Sequence, residues 1–233
     1  MSKLYVVATP IGNREDMTPR AKHVLSEVDL IACEDTRVTK RLLESYEIYT
    51  SLISYHAQSP DQKEQYICDL LGKGKDIALV SDAGTPAISD PGTRLVARVH
   101  NTVPKAEVVV IPGASAVTAL LSGAGISTQP FTFYGFLPHK KGRSTLINEI
   151  LESKHTSVVY ESPHRIMAFL ETCIERDGGD RLIVIGRELT KMYEQIIRAP
   201  LDEALAYFVA HPDKVKGEFV VAITGTKSKK GLM

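Results

Sequence analysis

The chain has 233 residues, 43% of them hydrophobic, which is enough to bury one large core or two smaller ones. Lys and Arg number 28, as do Asp and Glu, so the formal net charge is zero. That balance excludes a chain held to nucleic acid by bulk positive charge, so any such partner must be met by a local patch.

From the start, Leu4-Tyr5-Val6-Val7-Ala8 reads as a strand and ends in the punctuated turn Thr9-Pro10-Ile11-Gly12-Asn13. Thr18-Pro19 supplies a capping hydroxyl and a proline at the first helical position, so a helix is expected from there to about Glu27. Leu30–Cys33 reads as a second strand, then Glu34-Asp35-Thr36-Arg37 leads into a helix carrying Val38, Leu42 and Leu43. A third strand is expected at Ser51–Tyr55. Ser59-Pro60 opens a further helix that Gly72 ends.

The short run Asp76–Val80 reads as a buried parallel strand, followed by the stiff loop Ser81–Gly92 with Gly84, Pro86 and Pro91. A helix around Thr93–His100 and a strand at Val108–Ile111 complete a β-α repeat, which predicts an α/β fold with a parallel sheet. Pro112-Gly113-Ala114-Ser115-Ala116 leads to a helix at Val117–Ala124 and marks a junction. The expected domains are 1–113 and 114–226, with a disordered basic tail at 227–233.

The second half carries strand candidates at Phe131–Phe136, Thr156–Tyr160, Arg181–Ile185, Tyr193–Ile197 and Glu218–Ile223. Helices are expected at Ser144–Glu152, Pro163–Arg176 and Leu201–Ala210. No helical stretch separates the strands near 183 and 195, which predicts a hairpin in a mixed α+β sheet.

Familiar nucleotide fingerprints are missing. No G-x-G-x-x-G follows a strand, and no G-x-x-x-x-G-K-[ST] occurs. Ser81–Thr85 is similar to an aspartate-based phosphatase loop, but Gly84 stands where that loop needs a second aspartate. The histidines show no H-x-x-x-H pair, so no metal site is expected. Cys33, Cys68 and Cys173 are scattered, as core thiols of a reducing compartment would be. Without a leader or a long apolar span, the expected location is the cytoplasm.

What remains is a set of loops at strand ends: Thr9–Asn13, Glu34–Arg37, Asp82–Pro86 and Pro112–Ala116. In a parallel sheet they open on one edge, where ligands of α/β proteins sit, and a second domain starting at once afterwards predicts an interdomain cleft. These strings, with Tyr160-Glu161-Ser162-Pro163-His164-Arg165, closely resemble the ribosomal RNA small subunit methyltransferase I branch of the tetrapyrrole methylase superfamily. The likeness runs from about Leu4 to Thr224.

The resemblance implies a parallel-sheet domain and a mixed-sheet domain, a homodimer, and S-adenosyl-L-methionine bound in the cleft. It also implies 2′-O-methylation of a cytidine in the decoding region of 16S rRNA within the small subunit. By motif it places Pro10, Ile11, Asp82, Ala83, Gly84, Thr85, Ser115, Ala116 and Tyr160 around the cofactor. A ribose hydroxyl must lose its proton in such a reaction, so a base or an alkoxide-stabilising cation is needed. Glu34, Asp35, Arg37, Glu161 and Arg165 are the candidates, each also readable as a salt-bridge or capping residue. The best local cations for RNA are Arg37, Lys40 and Arg41, then Lys140, Lys141 and Arg143, with Arg187 and Lys191 beyond them. Two other readings compete: a sister methylase acting on a tetrapyrrole or a protein histidine, and a non-enzymatic RNA-binding factor.

Overall fold

The structure, a computed structural model, describes residues 1–226. The basic tail expected at 227–233 lies outside the described residues. Two compact units are present, Met1–Ser115 and a second beginning at Ala116.

The first unit alternates strands and helices: β1 (Lys3–Val7), α1 (Pro19–Glu27), β2 (Leu30–Cys33), α2 (Thr36–Glu44), β3 (Leu52–Ser54), α3 (Asp61–Gly72), β4 (Ile77–Leu79), α4 (Gly92–Thr102) and β5 (Glu107–Ile111). The strands form one sheet in the order β3-β2-β4-β1-β5, and every pairing is parallel. Side chains alternate across it with the period of two that a strand imposes. Leu4, Ala32, Ile77 and Leu79 pack with Ile67 and Leu71 of α3 and Leu95 and Val99 of α4. Val7, Ile31, Cys33 and Ala78 pack on the other face with Ala21 and Leu25 of α1 and Leu43 of α2. Both faces are therefore covered, which explains why the strands read as short apolar runs.

Helix starts follow local chemistry. Thr18 Oγ1 accepts from the Ala21 N–H at 3.1 Å, with Pro19 at the first helical position. The Asp35 carboxylate caps α2 by accepting from the Arg37 N–H at 2.8 Å. The third helix departs from expectation. It starts at Asp61, and Ser59 Oγ instead accepts from the His56 N–H at 2.9 Å. The helix ends at Gly72 as expected, and the left-handed residue beyond it is Gly74, at φ 84°.

The second unit contains α5 (Ala116–Gly123), β6 (Phe131–Phe136), α6 (Arg143–Glu152), β7 (Thr156–Glu161), α7 (Ile166–Asp177), β8 (Leu182–Arg187), β9 (Gln195–Pro200), α8 (Leu201–Ala210) and β10 (Phe219–Ile223). Its sheet order is β6-β7-β10-β8-β9, with β6 and β7 parallel and the other neighbours antiparallel. The expected hairpin is β8–β9. Phe169, Leu170, Ile150, Leu201 and Phe208 from α6, α7 and α8 cover one face. On the other, α5 packs on β10 and β8. Gly186 makes room for it, because a Cβ there would lie 3.0 Å from Leu120 Cδ1. All three cysteines are buried free thiols, and burial pushes the Cys173 thiol up to about 12.

One buried carboxylate holds the β6–β7 end of this unit. Glu161 is 1% exposed, and its Oε2 meets Arg143 Nη2 at 2.7 Å while Oε1 meets Arg165 Nε at 2.9 Å. The Ser162 N–H also donates to Oε1 at 2.9 Å, and Arg165 Nη1 donates to the Leu137 carbonyl at 2.9 Å. The first residue of α6, the residue before α7 and the exit of β6 are thus tied to the end of β7. Burying such a cluster is costly; both Glu161 oxygens are paired, while Arg143 Nη1 is buried without a hydrogen-bond partner.

Removing the anion would leave two guanidinium groups facing each other in a dry site. Glu161→Ala should therefore lower the unfolding free energy by about 3–5 kcal/mol in denaturant titrations. A change under about 1 kcal/mol, the range of an exposed ion pair, would show that the cluster is not what holds these elements together.

Candidate active site

The sheet order of the first unit fixes where a ligand can approach. From β1 the chain runs through α1 on one face to β2, while from the adjacent β4 it runs through α4 on the other face to β5. Neighbouring strands whose connections leave in opposite directions open a crevice beyond their carboxyl ends. The loops at that crevice are 9–13 after β1 and 81–92 after β4.

Hydrogen bonds join these two loops. The Thr9 N–H donates to the Gly84 carbonyl at 2.9 Å and the Gly84 N–H returns a bond to Thr9 O at 3.1 Å, an isolated antiparallel bridge beyond two parallel strands. Thr9 Oγ1 also donates to Ser81 O at 3.1 Å. The turn depends on Gly84, whose φ is +83°, a region that side chains with a Cβ rarely occupy. A Cβ there would also lie 3.4 Å from Ile11 Cγ2 and 3.7 Å from the Ala114 carbonyl. Thr85 Oγ1 donates to that same carbonyl at 3.1 Å, and at Gly113 a Cβ would come within 2.9 Å of Ala8 Cβ. The structure thus brings together Pro10, Ile11, Asp82, Ala83, Gly84, Thr85 and the segment carrying Ser115.

Further along the loop, Ala87 and Ser89 have φ of 66° and 65°, a strained arrangement for residues other than glycine. Asp90 holds it in place, with Oδ1 accepting from the Ala87 N–H at 2.8 Å and the Gly92 N–H at 2.7 Å. Sequence reading passed over Asp90, although Asp-Pro-Gly is a turn signature that points to it. It also passed over Glu64, a buried carboxylate on α3. Glu64 Oε1 accepts from Tyr55 Oη at 2.9 Å and meets Arg94 at 2.8 Å. Tyr55 Oη lies 3.2 Å from the Pro91 carbonyl, so this cluster braces the far end of the loop. No local signal marks it, because its members lie on separate elements.

The loop after β2 adds the charge. The Asp35 N–H donates to Asp82 Oδ1 at 3.1 Å, and the Asp82 N–H supports the Glu34 carboxylate. Two adjacent carboxylates are driven apart. Arg37 binds Asp35 through Nε at 3.0 Å and Nη2 at 2.6 Å and holds its carboxyl well below the usual range. Burial pushes Glu34 above its ordinary value, and the Asp82 and Asp90 charges add to the rise. Such a split is how sites assign a proton acceptor among like groups.

In the second unit the candidates lie elsewhere than at an open surface. The Tyr160 ring packs on Phe133 at 4.9 Å and Phe136 at 5.2 Å, and its phenol is pushed up by burial and then by Glu218. Glu161 and Arg165 are bound to each other in the cluster described above. Arg143 belongs to that cluster too, only 16% exposed, so the expected group of three surface cations is reduced to the exposed Lys140 and Lys141. Arg187 is buried, donating to Lys216 O at 2.9 Å and Tyr193 O at 3.1 Å. Lys191 Nζ sits between Glu188 at 2.7 Å and Glu218 at 3.0 Å. Lys40 and Arg41 remain on the exposed side of α2. Among the described residues, no cluster of three His, Cys, Asp or Glu side chains could hold a metal, and no helix is long and apolar enough to cross a membrane.

Comparison with known proteins adds the family. The profile of the Tetrapyrrole (Corrin/Porphyrin) Methylases matches residues 3–205. A ribosomal RNA small subunit methyltransferase I of Synechocystis sp. is 46% identical over 226 residues, 97% of this chain and 80% of that protein. The protein of the same name from Bacillus subtilis is 44% identical over 231 residues, 99% of this chain and 77% of its own. Among solved structures, diphthine synthase superposes with a TM-score of 0.72 at 12% identity, covering 97% of this chain and 90% of its own. A cobalt precorrin-4 methyltransferase does so at 0.67 and 16%, covering 94% of each, which shows the shared fold. The chain belongs to the tetrapyrrole methylase family, within its ribosomal RNA small subunit methyltransferase I branch.

Proposed function

We propose that this protein transfers a methyl group from S-adenosyl-L-methionine to RNA of the small ribosomal subunit, and that the acceptor is the 2′-hydroxyl of a cytidine in the decoding region. The observation that carries the small-subunit rRNA methyltransferase part of this reading is the 46% identity, along 97% of the chain, to a ribosomal RNA small subunit methyltransferase I, while the cytidine 2′-hydroxyl rests on the family resemblance. The carboxyl edge of the parallel sheet supports it, with its stitched loops and a half-buried carboxylate among them. A homodimer and a cytoplasmic location belong to the same proposal, as do contacts to the cofactor from Ala116 and Tyr160. These last rest on the resemblance alone.

The residues present fit the cofactor. Gly84 holds a positive φ that larger residues rarely adopt, and at Gly113 a Cβ would come within 2.9 Å of Ala8 Cβ, so both positions keep the loops at this edge free of bulky side chains. The exposed Asp82 carboxylate suits a ligand bearing an ammonium group. When bound, S-adenosylmethionine supplies a methyl carbon on a positively charged sulfur. The protein's part is alignment, and orienting two reactants can supply roughly 7–11 kcal/mol of a barrier. Glu34 is assigned the proton of the ribose hydroxyl, since its raised basicity suits a group that must accept one. Arg37 stays paired with Asp35 and offers its positive charge to the RNA side of the same loop.

Methyl incorporation from labelled donor into 30S subunits, with the modified nucleotide mapped, tests the activity. No incorporation into subunits lacking the modification would overturn it. For the donor site, calorimetry should show metal-independent binding in the wild type. Gly84→Ala should weaken it roughly 5- to 30-fold, the equivalent of the ~1–2 kcal/mol penalty for a left-handed residue with a Cβ. Unchanged affinity in that variant and in Asp82→Arg, with circular dichroism intact, would place the donor elsewhere.

Glu34→Gln has two expected signatures. The methyl-transfer rate should fall by about 10²- to 10⁴-fold with donor affinity retained. Because the folded-state value of Glu34 lies above its ordinary 4.5, the folded protein binds the extra proton, and ionised Glu34 costs stability as pH rises through that window. The variant should therefore melt at or above the wild-type temperature at neutral pH, the gap closing as pH approaches about 4. A neutral-pH loss of stability would mean Glu34 is a structural anchor.

A further inference from the structure

A groove of about 560 Å³ runs beside α2, from its first turn to the segment that enters the edge strand β3. Its floor is apolar, with Leu43 and Ile48 buried and Leu52 partly so. Lys40 and Arg37 stand along it, and Tyr49, 80% exposed, forms part of its wall. Glu44 and the hydroxyl-bearing Thr36 and Thr50 complete the lining. An aromatic ring this exposed contributes nothing to the core of the unit.

We propose, building on the RNA methyltransferase reading, that this groove holds one unpaired nucleotide of the RNA substrate beside the nucleotide being methylated. Its base stacks on the Tyr49 ring and its phosphate meets Lys40. Each part of the lining has a matching part in a nucleotide. A flat aromatic beside an apolar floor takes a base of any sequence, and stacking of this kind is the usual platform for single-stranded RNA. Lys40 Nζ is 3.9 Å from Glu44 Oε1, a loose exposed pair that yields readily to a phosphate. Freed from it, the Glu44 carboxylate can accept from an exocyclic base amine. The volume lies within the roughly 300–1,000 Å³ of small-ligand sites. The groove also begins at Thr36 and Arg37, the residues that follow Glu34 and Asp35, so a strand lying in it continues towards the proposed acceptor site.

The chain contains no tryptophan, so Tyr49→Trp installs a single reporter at the stacking position. Titration with a single-stranded oligoribonucleotide should quench its fluorescence saturably. Tyr49→Ala should weaken oligoribonucleotide binding by roughly 5- to 150-fold, the range for loss of one stacked base, while Tyr49→Phe retains it. Lys40→Ala should lower the slope of log affinity against log salt by roughly 0.7. Donor binding should be unchanged in all of these variants. No quenching at oligoribonucleotide concentrations that saturate binding by anisotropy would overturn the proposal and leave the methyltransferase reading standing. Quenching by intact 30S subunits but not by RNA alone would overturn it in favour of a protein segment as occupant. Failure of the wild type both to bind RNA and to methylate subunits would remove the underlying reading and this proposal with it.

Discussion

The first unit depends on two hydrogen bonds between Thr9 and Gly84. Parallel strands carry their chains away from the sheet at the same edge, where nothing in the ladder holds the loops together. The bridge supplies that connection just past β1 and β4, the pair at which the topology reverses. It requires a backbone turned into the left-handed region at residue 84, and glycine meets that requirement without strain. From it follow the placement of Ser81 and Thr85 and the close approach of the loop to Ile11 and Ala114. The loop's far end is held separately by Asp90 and by Tyr55 with Glu64, which lets two non-glycine residues remain in left-handed conformations between the two anchors.

Electrostatics at this edge is decided by partners at close range. Glu34 and Asp35 are neighbours in sequence, yet the fold moves them in opposite directions. Asp35 faces a permanent cation two residues on and stays ionised as a helix cap. Glu34 is half-buried with two other carboxylates for company, so its ionised form is the less favoured one. Two neighbouring carboxylates thereby differ in basicity, Asp35 held ionised as a helix cap and Glu34 raised by its burial and the charges around it.

In each unit some cations serve the fold and others stay at the surface. In the second, Arg143 and Arg165 neutralise a buried carboxylate, Arg187 braces backbone carbonyls, and Lys191 bridges two glutamates. These cations serve the fold. In the first unit Arg94 likewise meets buried Glu64, while Lys40 and Arg41 stay exposed on α2 beside the groove that carries Tyr49; Lys140 and Lys141 stay exposed in the second unit. For a chain of zero net charge, the cations left exposed are the ones that can meet a phosphate backbone.

Local sequence made the elements and the family legible. Short apolar runs, Thr18-Pro19, the Asp35 cap and the turn residues of 81–92 act over a few neighbours, so strands, helix starts and the parallel sheet were legible from them. The strings at 9–13, 34–37, 81–92 and 160–165 carried the branch of the family. Tertiary structure decided everything that needs residues far apart in the chain. Arg143 sits in sequence beside two surface lysines, and only the distant Glu161 turns it inward. Asp82 reads as a lone carboxylate until the Asp35 amide reaches it from another loop. The brace of Tyr55, Glu64 and Arg94 and the groove at Tyr49 left no trace in the sequence, because spacing along a chain encodes local geometry and not which loops will meet.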